Sequence, residues 1–339
     1  MGMGGGGGTP VVDEIVIQPG PMKSPMRIAP SGASKFLVTD YQGGIVYEVN
    51  TASPDQPSPL FQIAGHPLAI EVVSGGNATF RDVLPLLTPR DRRIIQDILF
   101  NPRPRSINEI ARDFRVSVLQ VRSIVEQTLR QLRQPQVKIF VGNDSGGTID
   151  VYRLDGRKLS TFTSAGGIRP SDMVCDQARQ QLFVVDGLAH DIKIFSASGN
   201  LIGTFGEAAP LSDPKGIAID AGAKQVYVSD YGDPRVGIPP SINIFDFEGK
   251  LIRRIIGNLS RPQGLALDER NLYVVDAMLG QILVFDRVSY AYTGAIGSFG
   301  VADGQLLLPM DLSRDTATGK LYVTNNRVGR VAAFSPPAP

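Results

Sequence analysis

Short runs of alternating apolar and polar residues recur along most of the chain, separated by turns rich in Gly, Asp and Asn. One copy reads DPKGIAIDAGAKQVYVSDYG followed by SINIFDFEGKLIRRIIG, and the next reads RPQGLALDERNLYVVDAMLGQILVFDR. Alternation of this kind predicts half-buried β-strands joined by hairpins. A repeat of about 40–50 residues with four strands is typical of the blades of a β-propeller.

Superposing the copies brings two columns of residues into register. The first column holds prolines that precede the first strand of each copy: Pro25, Pro67, Pro170, Pro214, Pro262 and Pro309. The second column ends the second strand: Asp40, Asn143, Asp186, Asp230, Asp276 and Asn325. We therefore expect a mainly β protein with six blades. Asp and Asn at strand ends most often accept hydrogen bonds from turn backbone, so the second column is expected to be structural.

The last copy contains only three predicted strands, which leaves one strand edge open. The segment VVDEIVI at residues 11–17 has no copy of its own, and we expect it to supply the missing fourth strand. Joining both ends of the chain in one blade would hide edges that otherwise invite aggregation. Residues 1–10, which include five consecutive glycines, are expected to form a flexible leader.

Residues 81–134 interrupt the second copy with a helical rather than an alternating pattern. Three helices are expected, over residues 89–100, 107–114 and 118–133. Their predicted N-terminal caps are Thr88 before Pro89, Ser106 with Glu109, and Ser117 with Gln120. Their predicted core residues are Ile94, Ile95, Ile98, Ile107, Ile110, Ala111, Phe114, Val121, Ile124, Leu129 and Leu132. The expected domains are thus a propeller from residues 11–80 and 135–339 and an inserted helical domain at 81–134.

The strand repeats resemble the NHL-repeat family of six-bladed propellers. The resemblance is carried by the pattern P-x-G-[IL]-A-[IL]-D, [LV]-Y-V-[SV]-D and I-x-[IV]-F-D, which is clearest in the fourth and fifth copies. It covers nearly all of the chain outside the helical segment. The resemblance implies a rigid disc that presents loops on two faces, and it assigns no activity by itself.

The helical segment resembles the region-four domain of bacterial sigma factors, a helix-turn-helix that reads promoter DNA. Motifs I-x-E-I-A-x-x-F-x-V-S and V-R-x-I-x-x-x-x-L-x-x-L-R carry this resemblance. The family places Arg and Glu at the start of the recognition helix, but this chain has Val118 and Leu119 there, with Arg122 retained and Ser123 where Gln is common. Arg115 replaces the turn glycine, which is unfavourable if that position needs a positive φ.

Charge separates the two parts of the chain, although the whole carries only +1. Residues 81–134 hold 11 Arg and 6 acidic residues, giving 11 − 6 = +5, while the remainder carries 23 basic and 27 acidic residues, giving −4. A basic helical module suits a polyanion or an acidic protein surface. Arg92 and Arg93 are candidate contacts to DNA phosphates, or to a protein, together with Arg115 and Arg122.

Composition gives little support to catalysis. The chain has one cysteine, Cys175, and two histidines, His66 and His190, so neither a disulfide framework nor a multi-histidine metal site is available. No nucleophile elbow, P-loop or dinucleotide fingerprint is present. We expect no cofactor and no metal, although the resemblance to propellers leaves a calcium-dependent lactonase or hydrolase with a central metal as an alternative.

The predicted loop from Tyr231 to Ser241, YGDPRVGIPPS, is the longest between a second and a third strand. It opens on the face opposite the hairpin that carries the helical insertion, and its prolines stiffen it. Tyr231, Arg235 and Ile238 are its candidate contact residues, and an excursion without function is the alternative. Contacts on both faces of a rigid disc would suit a bridging role.

Three hypotheses follow. The first is a non-catalytic scaffold or accessory subunit in a larger assembly, which docks a protein partner through Val118, Leu119 and Arg122. The second is a DNA-binding transcriptional regulator in which the propeller senses or recruits a partner. The third is the propeller hydrolase. No apolar run is long enough to span a bilayer, and the N-terminus lacks the basic and apolar regions of a signal peptide. The cytoplasm is therefore the expected location, with export after removal of a leader as the alternative.

Overall fold

The computed structural model describes residues 22–32, 34–51, 57–77, 80–103, 105–133, 135–207 and 209–337. The strand expected at residues 11–17 and the glycine leader at 1–10 lie outside these residues. Contacts within the chain divide it into a helical unit, Ser74–Val137, and a β unit formed by the residues on both sides of it. The helical unit extends a few residues beyond the segment 81–134 at each end.

The β unit is a six-bladed propeller, as the sequence predicts. The first blade contains β1 Pro25–Gly32, β2 Lys35–Asp40, β3 Ile45–Asn50 and β4 Ser58–Gln62. The second contains β5 Pro67–Asn77, β6 Pro135–Asn143, β7 Thr148–Arg153 and β8 Lys158–Phe162. The third contains β9 Pro170–Asp176, β10 Gln181–Asp186, β11 Asp191–Ser196 and β12 Leu201–Phe205.

The fourth blade contains β13 Pro214–Asp220, β14 Gln225–Asp230, β15 Ser241–Asp246 and β16 Leu251–Ile256. The fifth contains β17 Pro262–Leu267, β18 Asn271–Asp276, β19 Gln281–Asp286 and β20 Tyr292–Ile296. A small parallel pair, β21 Ser298–Phe299 and β22 Gln305–Leu306, connects it to the sixth. In the described residues the sixth blade has three strands, β23 Pro309–Arg314, β24 Leu321–Asn325 and β25 Arg330–Phe334.

Both sequence columns have the positions predicted for them. Every proline of the first column begins the innermost strand of its blade, and every Asp or Asn of the second column ends the next strand. Asp276 shows why the second column is acidic. Its carboxylate accepts hydrogen bonds from the amides of Ser260 and Arg261 before the blade, and from those of Met278 and Leu279 in the following turn. The side chain therefore joins two loops, and its predicted structural role is confirmed.

The apolar core of the propeller lies between neighbouring blades. Tyr273 and Val275 of the fifth blade, for example, pack with Leu312 and Phe334 of the sixth, all of them almost fully buried. Another cluster joins Tyr322 of the sixth blade to Phe36 of the first, and β23 also contacts β1. These contacts between the last and the first blade close the ring of blades. Burial of each large apolar side chain contributes about 1.5–3 kcal/mol to this closure.

The helical unit begins with a short helix, α1 Phe80–Val83, and a 3-10 turn, Leu84–Leu86. Its three main helices are α2 Pro89–Phe100, α3 Ile107–Asp113 and α4 Val118–Arg133. These bounds agree with the predicted helices to within one residue. Ile94, Ile110, Ala111 and Val121 form the buried centre of the unit.

Capping residues set the starts of these helices. Thr88 accepts a hydrogen bond from the amide of Asp91 at 3.2 Å. Ser106 and Glu109 form a reciprocal capping box, in which the Glu109 carboxylate accepts from the Ser106 amide at 2.8 Å. The Ser117 amide donates to the Gln120 side chain at 2.8 Å, and the Gln120 amide donates to the Ser117 hydroxyl at 3.1 Å. All three predicted caps are confirmed, and each satisfies an amide that the first helical turn leaves without a partner.

Two residues that the sequence placed in the helical core need correction. Ile107 and Leu129 are 38% and 41% exposed. Ile107 is the first residue of α3, where the helix has not yet turned toward its neighbours. Val116 and Val118, which the sequence left out of the core, pack against it instead.

Candidate functional site

The candidate partner site is the first turn of α4 and the turn that precedes it. Leu119 is 80% exposed, the largest exposure among the large apolar side chains that the structure describes in the helical unit. Arg122 and Ser123 lie one turn further along the helix and are also exposed. Val118 differs from expectation, because it is half-buried and packs against the core that contains Ile94. The apolar contact available to a partner at this turn is therefore Leu119 alone.

The turn between α3 and α4 fixes the orientation of the candidate site. The Val116 amide donates to the Ala111 carbonyl at 2.9 Å, and the Arg115 amide donates to the Arg112 carbonyl at 3.2 Å. These bonds form a Schellman motif, whose central position adopts the left-handed region. Arg115 occupies that position with a φ of 52°. The expected unfavourable arginine is confirmed, and its side chain is exposed beside α4.

The arginines of the helical unit differ in how far their charge is neutralised. Three of them form ion pairs: Arg105 with Asp97 and Asp113, Arg90 with Asp91, and Arg130 with Glu126. No carboxylate among the described residues forms an ion pair with the five exposed arginines Arg93, Arg103, Arg112, Arg115 and Arg122. Unpaired arginines therefore occur on both helices of the helix-turn-helix and in its turn: Arg112 on α3, Arg115 in the turn and Arg122 on α4.

Arg92 and Arg93, both predicted as contacts, have different environments. The Arg92 guanidinium donates from Nε to the Leu84 carbonyl at 2.9 Å and from Nη2 to the Leu87 carbonyl. It therefore supports the 3-10 turn and is poorly placed to contact a phosphate as well. Arg93 is exposed and lines an open groove of about 620 Å³ together with Phe100 and Phe114.

The loop from Tyr231 to Ser241 forms one wall of a second candidate site, a cleft of about 380 Å³ on the propeller. Tyr231 lies inside the cleft, and Ile238 is exposed on the loop. The Arg235 side chain is 87% exposed, but its guanidinium is held by Asp233 through two hydrogen bonds of 3.0 Å. Sequence reasoning missed Arg261, which lines the same cleft, and its position directly before a blade-starting proline is the signal that identifies it.

The axis of the propeller contains a buried charge cluster that the sequence reading also missed. Arg27 is 2% exposed, and its guanidinium lies 3.6 Å from carboxylate oxygens of both Asp172 and Asp311. It also donates to the carbonyls of Ser171, Met310 and Lys215, so it contacts the third, sixth and fourth blades from the first.

Glu71 lines the same axial channel, whose volume is about 280 Å³. Burial, together with the nearby Asp172 and Asp311, raises the pKa of Glu71 to about 8. Burial likewise raises the pKa of Asp311 to about 8, with Asp172 adding to the effect and Arg27 opposing it. These carboxyls therefore hold protons at a pH where ordinary carboxyls are ionised.

Groups associated with catalysis or metal binding are few. Within the described ranges, no group of three or more His, Cys, Asp or Glu side chains has an arrangement that could hold a metal ion. His66 donates a hydrogen bond from Nδ1 to the Tyr41 carbonyl at 2.9 Å, and its ring stacks on Tyr41 with ring centres 4.8 Å apart. Cys175 is buried, and burial raises the pKa of its thiol to about 12, which suppresses the reactive thiolate. The described helices include none that is long and apolar enough to cross a membrane.

Comparisons with known proteins agree with this architecture. The family model described as "Sigma-70, region 4" matches residues 83–134, the three main helices of the helical unit. A solved structure titled "Crystal structure of Nidogen/Laminin Complex" is similar over 81% of this chain and 80% of that chain, with a TM-score of 0.52 and 14% identity. A search of curated proteins found no match. At this identity the structural similarity supports the propeller fold alone, whereas the helical unit is similar to sigma region four in sequence as well.

Proposed function

We propose that the protein is a non-catalytic scaffold or accessory subunit that binds a protein partner through the first turn of α4. The exposure of Leu119 carries this proposal. A leucine at the tip of a recognition helix offers a DNA base at most a contact to a thymine methyl. In a protein interface, its burial contributes about 1.5–3 kcal/mol.

The residues around Leu119 have the composition of an interface. Arg122 is exposed one turn away and supplies a charged group beside the apolar one, and arginine is enriched among the residues that dominate binding energy. Ser123 and Arg115 are exposed at the edge of the same surface. Val118 packs against the core of the helical unit and is not proposed as a contact to the partner. The Tyr231–Ser241 loop supplies a second contact on the propeller, which makes bridging the proposed role.

A DNA-binding regulator is the second candidate, and the unpaired arginines favour it. Arg93, Arg112, Arg115 and Arg122 surround a helix-turn-helix whose residues 81–134 carry a net charge of +5. Such charges bind phosphates without reading sequence, and their affinity falls steeply with salt. We therefore expect weak, salt-sensitive DNA binding that accompanies protein docking. The single cysteine and its burial suit the cytoplasm, where we place the protein.

Affinity capture with the full chain tests the docking surface. Tagged wild type, Leu119→Asp and Leu129→Asp are compared as baits in extracts of the source cells, because Leu129 is an exposed leucine on the same helix. Wild type and Leu129→Asp should retain one common partner that Leu119→Asp loses. Retention of the same proteins by all three baits contradicts the proposal.

Fluorescence anisotropy with a labelled random-sequence 30-base-pair duplex tests the second candidate on the same full chain. Binding at low salt that disappears at physiological salt agrees with docking as the main function. Tight binding at physiological salt, followed by enrichment of one sequence on repeated selection and loss with Arg122→Ala, would instead make the protein a DNA-binding regulator.

A further inference from the structure

The cleft on the propeller is built from four separate stretches of the chain. His190 belongs to the loop after β10, and Tyr231 to Arg235 belong to the loop after β14. Ser212 and Asp213 precede the fourth blade, whereas Ser260 and Arg261 precede the fifth. Because neighbouring strands in these blades are antiparallel, loops after second strands and connections between blades open on one face, here called the cleft face.

The cations of the cleft are not equally neutralised. Arg235 lines the cleft and pairs with Asp233, and the cleft residue Asp213 is paired with Lys215, whose Nζ lies 2.5 Å away. Arg261 is exposed and forms no ion pair with any carboxylate in the part of the chain that the structure describes. Its guanidinium lies 5.8 Å from the centre of the Tyr231 ring. Arg261 is therefore the cation of the cleft that remains available to an acidic ligand.

Tyr231 gives this arginine a rigid support. Its hydroxyl accepts a hydrogen bond from the Gln263 side chain, and Lys215 Nζ lies 4.8 Å from the ring centre. Burial raises the pKa of Tyr231 to about 12, so the hydroxyl stays neutral. The ring is thus held at both its edge and its face. Arginine stacked on a fixed aromatic ring loses little side-chain freedom when it binds a carboxylate.

The loop beyond Tyr231 is also preorganised. Asp233 and Ile238 exchange two backbone hydrogen bonds of 2.9 Å. Gly232 lies under this bridge with a φ of 69°, and a Cβ atom there would be 2.3 Å from the Ile238 carbonyl oxygen. Little conformational entropy remains to be lost when a ligand binds against such a loop.

The cleft face of the propeller also carries several exposed apolar side chains. The apolar arc consists of seven exposed residues on the cleft face: Leu188, Val236, Ile238, Met278, Leu279, Phe299 and Val301. On the opposite face of the propeller, the described loops expose only two large apolar side chains, Leu154 and Val288. Two of these residues, Val236 and Ile238, belong to the loop that lines the cleft, and Met278 follows Ala277, whose amide donates to the Arg261 carbonyl at 2.9 Å. Concentration of exposed apolar residues on one face indicates an interaction surface.

We infer that the cleft and the apolar arc bind a peptide segment of a partner protein that carries one acidic side chain flanked by aliphatic or aromatic residues. The carboxylate binds Arg261 and the hydroxyls of Ser212 and Ser260, while the apolar neighbours cover Val236 and Met278. Asp213 and Asp233 line the same cleft and are ion-paired, so among the described side chains Arg261 is the one unpaired cation there, which suits a single carboxylate better than a polyanion such as nucleic acid. The inference rests on the proposed scaffold role and gives its second surface a defined ligand.

Peptide selection on the intact protein tests the inference. A phage-displayed library of random dodecapeptides is selected on the immobilised full chain, and enriched peptides are synthesised with a fluorescent label for anisotropy. Binding is then compared among wild type, Arg261→Gln and Arg253→Gln. Arg253 is a matched control, since its guanidinium lies 5.6 Å from the Tyr290 ring outside the cleft.

The enriched peptides should share an Asp or Glu next to Leu, Ile, Val, Met or Phe. Arg261→Gln should weaken their binding about tenfold or more, and Arg253→Gln should leave it within about twofold. Selection that enriches no peptide, a consensus without an acidic residue, or equal affinity for Arg261→Gln overturns the inference. Leu119→Asp serves to separate the two proposals, because it should abolish partner capture while leaving peptide binding unchanged.

Discussion

Replacement of Arg27 by methionine should destabilise the propeller more than any exposed substitution. The guanidinium donates hydrogen bonds of 3.0, 3.0 and 2.7 Å to carbonyls in three other blades. Methionine keeps much of the side-chain volume but leaves these carbonyls, and the carboxyls of Asp172 and Asp311, without their cation. Removal of one partner from a buried ionic cluster costs about 3–5 kcal/mol.

Protonation limits this cost. The pKa of Asp311 is already raised to about 8, so this carboxyl can remain neutral when Arg27 is absent. We therefore expect a loss near 3 kcal/mol at neutral pH, which corresponds to a fall in Tm of roughly 6–12 °C for a domain of this size. Adding Asp172→Asn to Arg27→Met should recover part of the loss, because Asp172 is the carboxylate that remains charged beside the neutral Asp311 once its cation is gone.

Chemical and thermal denaturation of the full chain, followed by tyrosine fluorescence, measures the effect. Arg157→Met is the control, since Arg157 is exposed on a turn and its replacement should change stability by less than about 0.5 kcal/mol. If Arg27→Met loses less than about 1 kcal/mol, the axial cluster does not hold the blades together as its geometry indicates.

Two further predictions concern the axial channel and the helix-turn-helix. Burial raises the pKa of Glu71 to about 8, so the folded state keeps a proton that the unfolded state releases above about pH 4. The contribution of this proton to the free energy of unfolding is complete at low pH and is lost as the pH rises through about 8. In wild type the Tm should therefore fall between pH 5 and 9, and Glu71→Gln should make this fall smaller. Equal slopes for both chains would contradict the assignment. Arg115→Gly should stabilise the helical unit by about 0.5–1 kcal/mol, because Arg115 has a φ of 52°, and slower hydrogen exchange of the Val121 amide in the full chain would show it.

Local patterns predicted the elements well, because each one depends on residues close together in the chain. Proline cannot donate to a sheet ladder and therefore starts a strand, and Asp at a strand end bonds the next turn. The helix starts at Thr88, Ser106 and Ser117 were predictable for the same reason. Val118 was misplaced because the first two residues of α4 point in different directions, and the pattern alone did not tell which one faces the core.

The axial cluster and the cleft depend on contacts between distant residues, which local patterns do not contain. Arg27 is 145 residues from Asp172 and 284 from Asp311, as their numbers show. The sequence did contain one signal. Each of these three residues lies two positions after the proline that begins its blade, and at the same position the fourth and fifth blades have Gly216 and Gly264. Charged residues at a position that is otherwise small indicate the centre of the ring.

The helical unit is inserted between two neighbouring strands of one sheet, β5 and β6, so its two ends leave the propeller side by side. While the helices are folded, they act as a short link between these strands. If they unfold, the link becomes a flexible loop of 64 residues, from Ser74 to Val137. Closing such a loop instead of one of about four residues costs about 2.5 kcal/mol of chain entropy. Any ligand that keeps the helices folded therefore also stabilises the blade, by thermodynamic linkage through the chain itself and without a contact between the units.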